Sequence, residues 1–308
     1  MHLYGLLYVD ENDVSVNVRI RQQSARLAMY VANAVNLARS LRHFGHGFTL
    51  LTNTALDRYA PGLLQAHGLQ VRQIEFSTEV PRNIPFYSAH FKLDALRHMA
   101  AQAHEDYALL LDLDIECVRA FPAAAELVTQ SGLPLVYDIT DQVRPAYGET
   151  RIAADLALIA GRPLPPCWYG GELLGGTPAF LARLNAVVEE LWPRYVKDHA
   201  SLHHQGDEML VSAALGLLRL EGAPLYDAGQ LGLVTRWWSQ QPRHPQLRFA
   251  DAASDATLLH LPQDKLHLAR RGQAAGTSYG LADFARSYRR VRWLQTAKKR
   301  AKTLIGRP

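Results

Sequence analysis

The chain has 308 residues, of which 48% are apolar and 20% charged, a composition that supports a large core and excludes a disordered chain. Its two cysteines, Cys117 and Cys167, are too few for a disulfide framework, which favours a reducing cytosol. The net charge of +4 is unevenly distributed along the chain. Nine of the 33 basic residues lie in 286–308, and the other 24 are outnumbered by the 29 acidic residues. The body is therefore acidic, and the basic segment needs its own explanation.

The first half of the chain alternates between strand-like and helix-like segments. Apolar runs predict strands at 3–9, 48–53, 69–76, 107–118 and 133–139. Apolar residues at helical spacing predict helices at 24–44, 55–67 and 89–104. Ser24 can cap the first of them. This alternation predicts an α/β fold whose mainly parallel sheet has helices on both faces and binds ligands at the carboxyl ends of its strands.

The second half is less regular. The predicted elements are a glycine-rich loop at 170–176, helices at 178–199 and 206–219, a short strand at 257–261 and a helical tail at 281–305. No run approaches the roughly 18 consecutive apolar residues of a membrane-spanning helix.

Two acidic residues stand where the apolar strand 107–118 runs out. Asp112 and Asp114 are two positions apart, so on a strand their side chains face the same way. Carboxylates this close repel each other, and a divalent cation between them relieves the repulsion. A pair of solvated acids is the alternative, because the pattern Asp-x-Asp is common by chance. The apolar strand before the pair favours a metal site.

Four segments, in this order along the chain, resemble motifs of GT-A glycosyltransferases. Residues 86–121 resemble the region whose Asp-x-Asp motif holds Mn²⁺ or Mg²⁺ against the donor diphosphate, with Lys92 in its basic position. Residues 168–180 (WYGGELLGGTPAF) resemble the acceptor segment of the retaining family six, the blood-group type. Residues 203–215 resemble the His-Asp-Glu helix start of family six and the Asp-Gln-Asp helix start of family eight. Residues 258–265 (LLHLPQDK) resemble the C-terminal His and Lys motif of family eight.

The resemblance implies a GT-A, Rossmann-like fold, here followed by the helical tail. It implies a metal site formed by Asp112, Asp114 and His260, which would bind Mn²⁺ or Mg²⁺. An imidazole ligand leans toward Mn²⁺. The chain then divides into a nucleotide-sugar-binding half at 1–120, an acceptor-binding half of the same domain at 121–265 and a basic amphipathic tail at 266–308.

The resemblance also implies a set of substrate-binding residues. Those expected at the donor are Tyr8, Val9, Asp10, Lys92, Asp112 and Lys265. Those expected at the acceptor are Trp168, Tyr169, Gly170, Gly171, Gly175 and Gly176. Tyr8 would stack on the base, with uracil favoured, although a core aromatic is the slightly preferred alternative. The spacing between His260 and Lys265 is one residue shorter than in family eight. Trp237 and Trp238 would either stack on sugar rings or pack on the sheet.

Three carboxylates are candidates for catalysis. Glu208 is favoured by the resemblance to family six, as a nucleophile or as a stabiliser of an oxocarbenium-like transition state. Asp207, beside it, would bind donor or acceptor hydroxyls. An ordinary acidic helix start is the alternative for both residues, because the helix dipole favours acids there. Glu172, the third candidate, stands where family six has a small apolar residue.

Within the tail, residues 286–308 combine basic residues with one apolar stripe. The stripe consists of Val291, Leu294, Ala297, Ala301, Leu304 and Ile305, with Trp293 beside it. A basic amphipathic helix with a tryptophan is typical of an anionic membrane surface, and a helix packed on the body is the alternative. Nucleic acid is not expected as a partner, because the body is acidic and no base-reading module is visible.

Together these features predict a metal-dependent glycosyltransferase that moves a sugar, with retention, from a nucleotide diphosphate donor to a glycan or lipid-linked acceptor. Its expected setting is bacterial cell-surface polysaccharide synthesis, of lipopolysaccharide or capsule. The expected location is the cytoplasm, peripheral at the inner face of the membrane. A nucleotidyltransferase making sugar nucleotides is one alternative, but it needs a glycine-rich basic loop where this chain has VDENDVSVNVRIR. A non-catalytic sugar-nucleotide-binding protein is the other.

Overall fold

Two β-sheets form the framework of the chain, which a computed structural model describes for residues 1–10, 22–82, 84–102 and 106–304. The strands are β1 His2–Leu7, β2 Phe48–Thr52, β3 Gln70–Gln73, β4 Ala108–Leu111, β5 Ile115–Cys117, β6 Leu135–Asp138, β7 Tyr169–Gly176, β8 Tyr226–Asp227, β9 Val234–Arg236 and β10 Leu258–His260. The larger sheet has seven strands in the order β3-β2-β1-β4-β7-β6-β8, and the smaller has three in the order β5-β10-β9. β1 to β4 are parallel, and β7 runs antiparallel to β4 and β6.

Helices flank the larger sheet. They are α1 Gln23–His43, α2 Leu63–His67, α3 Lys92–Ala100, α4 Ala123–Gln130, α5 Thr140–Tyr147, α6 Glu149–Ala160, α7 Pro178–Asp198, α8 Asp207–Leu220, α9 Phe249–Asp255, α10 Lys265–Gln273 and α11 Leu281–Leu304. α3 packs on α7, and α7 packs on α8. The fold class predicted from the alternation of elements, α/β with a mainly parallel sheet, is confirmed.

The strand predicted at 107–118 is two strands, β4 and β5, separated by a turn that carries the two acids. β4 lies in the centre of the larger sheet, and Leu109, Leu110 and Leu111 are buried. β5 leaves that sheet and pairs antiparallel with β10 in the smaller one. The turn at Asp112 and Asp114 therefore lies where the two sheets meet.

The loop predicted at 170–176 is wrong: these residues form most of β7, a strand inside the larger sheet. Glycines usually weaken a strand, but here they permit close packing. A side chain at Gly175 would collide with Leu109, and one at Gly176 would collide with Phe180. Apolar residues between and around the glycines bury the rest of the strand.

Other predicted elements differ in their bounds. The helix predicted at 55–67 shrinks to α2, because Pro61 disfavours helical geometry before it and Gly62 adopts a left-handed φ of 72°. Ser24 does not cap α1; Gln22 occupies the cap position, without a side-chain hydrogen bond. α4, α5, α6, α9 and α10 form in segments that the sequence left unassigned.

The first part of the C-terminal segment, α10 and the start of α11, packs against the rest of the protein. α10 packs along α1, where a side chain at Gly272 would collide with the carbonyl oxygen of Ala32. In α11, Phe284 and Tyr288 are buried, whereas Trp293 is 69% exposed. The side chains of the predicted stripe from residue 294 onward lie outside the described residues. Within the described part of the chain, no helix has the length and apolarity needed to cross a bilayer.

Candidate active site

The junction of the two sheets brings together three residues that are distant in sequence. Asp112 directly follows β4, Asp114 directly precedes β5, and His260 ends β10 opposite Ile115. The ligand atoms of these three side chains all lie within 4.8 Å of one another. His260 Nε2 is 3.3 Å from Asp114 Oδ1 and 3.9 Å from Asp112 Oδ2. Two carboxylates and one imidazole form a donor set suited to a divalent metal ion, so the predicted trio could hold one.

The two aspartates have different electrostatic surroundings. Burial raises the pKa of Asp112, and the nearby Lys92 only partly opposes this. Burial would also raise the pKa of Asp114, but Lys265 and His260 lower it well below its usual value. Asp114 therefore lies close to two cationic groups, whereas the side chain of Asp112 is 28% exposed.

The two lysines predicted at the diphosphate border the acids. Lys92 Nζ lies 2.8 Å from Asp112 Oδ1 and 3.1 Å from Asp207 Oδ2, and it donates to the carbonyl oxygen of Gly171 at 2.8 Å. Lys265 pairs with Asp114. Both ammonium groups are therefore fixed beside Asp112, Asp114 and His260.

A cavity of about 210 Å³ extends from this cluster to the carboxyl end of β1. Tyr8 and Asp10 line it together with Lys92 and Lys265. The ring of Tyr8 stacks on Phe91, with centroids 3.6 Å apart, so one of its faces is already covered. This cavity is the candidate nucleotide pocket.

Val9 and Asp10 are tied to other parts of the chain. The backbone N–H of Val9 donates to Asn53 Oδ1 at 2.9 Å, and Asn53 Nδ2 donates to the Val9 carbonyl at 2.9 Å. The backbone polar groups of Val9 are therefore already bonded within the protein. Arg82 donates to Asp10 Oδ2 at 2.6 Å. Of the three residues predicted at the base, Tyr8 and Asp10 line the pocket.

A second cavity, of about 690 Å³, adjoins the same acidic cluster and shares Asp112 and Asp114 with the first. Its walls include the predicted residues Asp207 and Glu208, at the start of α8, and the aromatic rings of Phe86, His204 and Trp238. The rings of Phe86 and His204 stack with centroids 5.4 Å apart. This cavity is large enough for sugar rings and is the candidate acceptor side of the cleft.

Three hydrogen bonds fix the carboxylate of Glu208. Oε1 accepts from the backbone N–H of Gly171 at 3.1 Å and from Arg236 Nη2 at 2.9 Å, and Oε2 accepts from Trp168 Nε1 at 3.0 Å. Burial raises the pKa of Glu208, but the charges of Arg236 and His204 and the hydrogen bond from Trp168 together outweigh burial, and the pKa falls to about 2. Glu208 is thus an ionised carboxylate of fixed orientation at the wall of the larger cavity.

Glu172 is placed differently from what the sequence predicted. Its side chain is fully buried in β7 and does not line the larger cavity. Oε1 accepts from Arg236 Nε at 2.6 Å and from His260 Nδ1 at 3.0 Å, and Oε2 pairs with Arg236 Nη2. Because both oxygens are engaged and the strand shields them, this placement opposes a direct catalytic role for Glu172.

The residues predicted at the acceptor separate into three groups. Trp168 and Tyr169 are buried, at 1% and 2% exposure, and Trp168 reaches the site only through its hydrogen bond to Glu208. At Gly171 an added side chain would meet Asp207 and Lys92, and at Gly170 it would meet Glu172, so both glycines permit close packing beside the cleft.

The remaining two, Gly175 and Gly176, lie at the other end of β7. They pair there with Leu109 and Ala108. The structure does not bring them to the cleft.

Arg236 is the residue of the site that the sequence did not single out. It ends β9, in register with His260 on the neighbouring strand, and contacts both Glu172 and Glu208. No motif marks it. The available signal was that it is the only basic residue between Arg219 and Arg243 in the sequence.

No protein-family model and no curated protein sequence matches the chain. Among solved structures, the galactosyltransferase LgtC in complex with donor and acceptor sugar analogues aligns with a TM-score of 0.53 at 12% identity, over 89% of this chain and 97% of LgtC. An active-site mutant of LgtC aligns with a TM-score of 0.52 at 13% identity and the same coverage. The chain has the GT-A fold.

The bifunctional glycosyltransferase WbbM, in its apo form, also aligns with this GT-A chain. Its TM-score is 0.53 at 11% identity, over 84% of this chain and 45% of WbbM. The chain thus matches nearly the whole of LgtC and less than half of WbbM. At these identities the likeness establishes the fold and no more.

Proposed function

We propose that this GT-A protein is a metal-dependent glycosyltransferase that moves a sugar from a nucleoside diphosphate donor, with a UDP-sugar favoured, to a glycan or lipid-linked acceptor. The observation that carries the proposal is the convergence of Asp112, Asp114 and His260 between two cavities, with the ionised Glu208 on the wall of the larger one. Such an arrangement suits a reaction in which the donor diphosphate occupies one cavity, the acceptor occupies the other, and the transferred sugar lies where the two cavities meet.

The acidic trio would hold Mn²⁺ or Mg²⁺, with Mn²⁺ favoured by the imidazole ligand. A bound metal ion would act as a Lewis acid that neutralises charge on the departing diphosphate. Lys92 and Lys265 add fixed positive charge beside it, in a partly buried site where such charge acts strongly.

Glu208 is the proposed carboxylate at the anomeric carbon. Its three hydrogen-bond donors fix its orientation and keep it ionised, which suits either a nucleophile or a stabiliser of positive charge on the sugar. Either role is consistent with transfer that retains the anomeric configuration. Asp207, bonded to Lys92, would then orient a hydroxyl of the donor sugar.

The two cavities suggest which part of the chain binds each substrate. We propose that residues 1–120 bind the nucleotide sugar and that residues 121–265, including His204, supply the acceptor side, to which Phe86 of the first half also contributes. The proposed occupant of the larger cavity, whose volume is about 690 Å³, is a glycan or lipid-linked acceptor of a bacterial cell-surface polysaccharide.

The proposed membrane contact rests on the basic tail. Trp293 is exposed at the start of this segment, while Phe284 and Tyr288 anchor α11 to the body. A chain ending after Trp293 keeps these anchors and removes five of the nine basic residues of 286–308. We expect it to lose binding to vesicles containing phosphatidylglycerol. Binding equal to that of the full chain would overturn a membrane role for the removed residues.

The experiment that tests the activity is a screen of nucleotide sugars with Mn²⁺, in which released nucleoside diphosphate is measured. We expect turnover of at least one UDP-sugar, and its loss in Asp114→Asn and Glu208→Gln. Asp251→Asn is the matched control, because Asp251 is an exposed acid paired with Arg248 on the surface. UDP binding without turnover of any donor would instead favour a non-catalytic binding protein.

A further inference from the structure

A chain of buried and partly buried polar contacts links the proposed metal site of Asp112, Asp114 and His260 to Glu208. Glu172 accepts from His260 Nδ1 on one side and from Arg236 on the other, and Arg236 continues to Glu208. The two strands that carry Arg236 and His260 are hydrogen-bonded neighbours, and these residues are partners in their register. Two of the four side chains therefore stand on the smaller sheet, while Glu172 stands on β7 of the larger sheet and Glu208 stands on α8.

Glu172 fixes the orientation of the His260 ring. An ionised carboxylate can only accept a hydrogen bond, so the bond of 3.0 Å places the imidazole proton on Nδ1. Nε2 faces Asp112 and Asp114, so a metal ion bound there would take the lone pair of Nε2 in place of any proton that it carries. A carboxylate behind a histidine in this way orients the ring and increases its strength as a ligand.

Arg236 holds the two glutamates together. Its Nε and Nη2 both bond Glu172, and Nη2 also bonds Glu208 at 2.9 Å. The backbone N–H of Arg236 donates to the hydroxyl of Tyr137 at 3.1 Å, which fixes the end of β9. A planar guanidinium can bridge two carboxylates in this way, whereas the single ammonium of lysine cannot reproduce the fork.

We propose that Arg236 is a positioning residue that holds the imidazole of His260, through Glu172, and the carboxylate of Glu208 as one unit. The inference rests on the proposed function, because it assigns the two ends of the unit to the metal and to the sugar. It implies that a change at Arg236 weakens metal binding, although the side-chain hydrogen bonds and ion pairs found for Arg236 go to Glu172 and Glu208 and not to the side chains of Asp112, Asp114 or His260.

A second buried arginine provides a matched comparison. Arg271 bonds Glu116 through Nε at 2.7 Å and through Nη2, and both side chains are buried. This pair joins α10 to β5 and does not line either cavity of the cleft. Arg271→Lys therefore removes the same fork from a similar environment without touching Glu172 or Glu208.

The test is the affinity for Mn²⁺ alone, measured from the EPR signal of the free ion, with the melting temperature of each variant recorded. We expect Arg236→Lys and Glu172→Gln to weaken Mn²⁺ binding about 10-fold or more, and Arg271→Lys to bind Mn²⁺ as the wild type does. With a turned-over donor, Arg236→Lys should lower kcat at least about 10-fold and leave KM within about threefold. Wild-type Mn²⁺ affinity in a folded Arg236→Lys variant would overturn the proposal.

Asp114→Asn separates failure of this proposal from failure of the proposed function. If Asp114→Asn loses Mn²⁺ and Arg236→Lys does not, the positioning role is wrong and the metal site stands. If neither variant changes Mn²⁺ affinity, the metal site itself is wrong. Should Arg236→Lys fail to fold, Glu172→Gln decides: weakened Mn²⁺ binding supports the unit, and wild-type binding overturns it.

Discussion

Replacing Glu208 by glutamine tests whether charge at this position drives catalysis. The substitution keeps the size and shape of the side chain and removes its negative charge. Glu208 accepts from three donors, and a glutamine has one carbonyl oxygen and one NH₂ group in place of the two oxygens. The NH₂ group would therefore face at least one N–H donor, either that of Trp168 or those of Gly171 and Arg236.

The expected effects on rate and stability differ in size. One unit charge about 4 Å from a developing positive charge, at an effective dielectric of about 20, is worth about 4 kcal/mol. Its loss corresponds to a decrease of roughly a thousandfold in kcat. Loss of one hydrogen bond to a charged group costs about 1.5–3 kcal/mol of stability, which lowers the melting temperature of a chain of 308 residues by roughly 2–5 °C.

The assay measures release of nucleoside diphosphate at saturating donor and Mn²⁺, at a temperature well below the melting temperature of the variant. Glu221→Gln serves as the matched control, because Glu221 is a half-exposed glutamate paired with Arg183. We expect Glu221→Gln to retain wild-type kcat. A folded Glu208→Gln protein whose kcat stays within about threefold of the wild type would refute a role for this charge in the reaction.

Three further predictions concern packing, pH and the support of Glu208. Gly272→Ala should lower stability by about 1–3 kcal/mol or more, measured by urea unfolding, because its side chain would collide with the backbone of α1. Gly47→Ala, with open space around it, should not. Burial and neighbouring arginines lower the pKa of His267 to about 4, so between pH 6.5 and 4 the unfolded chain binds a proton that the folded chain does not. The free energy of unfolding should therefore decrease as the pH falls through this range. His267→Gln should make the free energy of unfolding less dependent on pH there. Trp168→Phe should lower kcat roughly 10–100-fold by removing one donor to Glu208, and an unchanged kcat would contradict that support.

The parts of the site that the sequence predicted are those whose chemistry requires a recognisable residue type. Asp112 and Asp114 stand out because two charged residues end an apolar run, and His260 stands out because it ends another. The parallel strands of the first half could be predicted equally well, because apolar runs of strand length alternate there with apolar residues at helical spacing. That His260 joins the two acids was predicted by the resemblance of residues 86–121 and 258–265 to glycosyltransferase motifs, and not by these local signals.

The two residues that hold these side chains in place, Glu172 and Arg236, could not be predicted in the same way. Glu172 looked like a carboxylate exposed on a glycine-rich loop, because local propensity disfavours glycine in strands. Pairing of β7 with β4 and β6 overrides that propensity and buries the side chain. Arg236 depends on the parallel register of β9 with β10, which no periodicity in the sequence reveals.

The short turn between β4 and β5 also explains how a pair of acids can be held ready for a metal ion. The backbone N–H of Asp112 donates to the carbonyl of Glu172 in the larger sheet at 3.0 Å, and the carbonyl of Asp114 accepts from the N–H of Leu261, next to β10, at 2.9 Å. Each acid is thus fixed by the sheet on its own side. A metal ion bound there would not have to order a loop first, so the free energy of its contacts would be available for charge stabilisation. The same geometry makes the site depend on the junction: any change that shifts the smaller sheet against the larger one would separate Asp114 and His260 from Asp112.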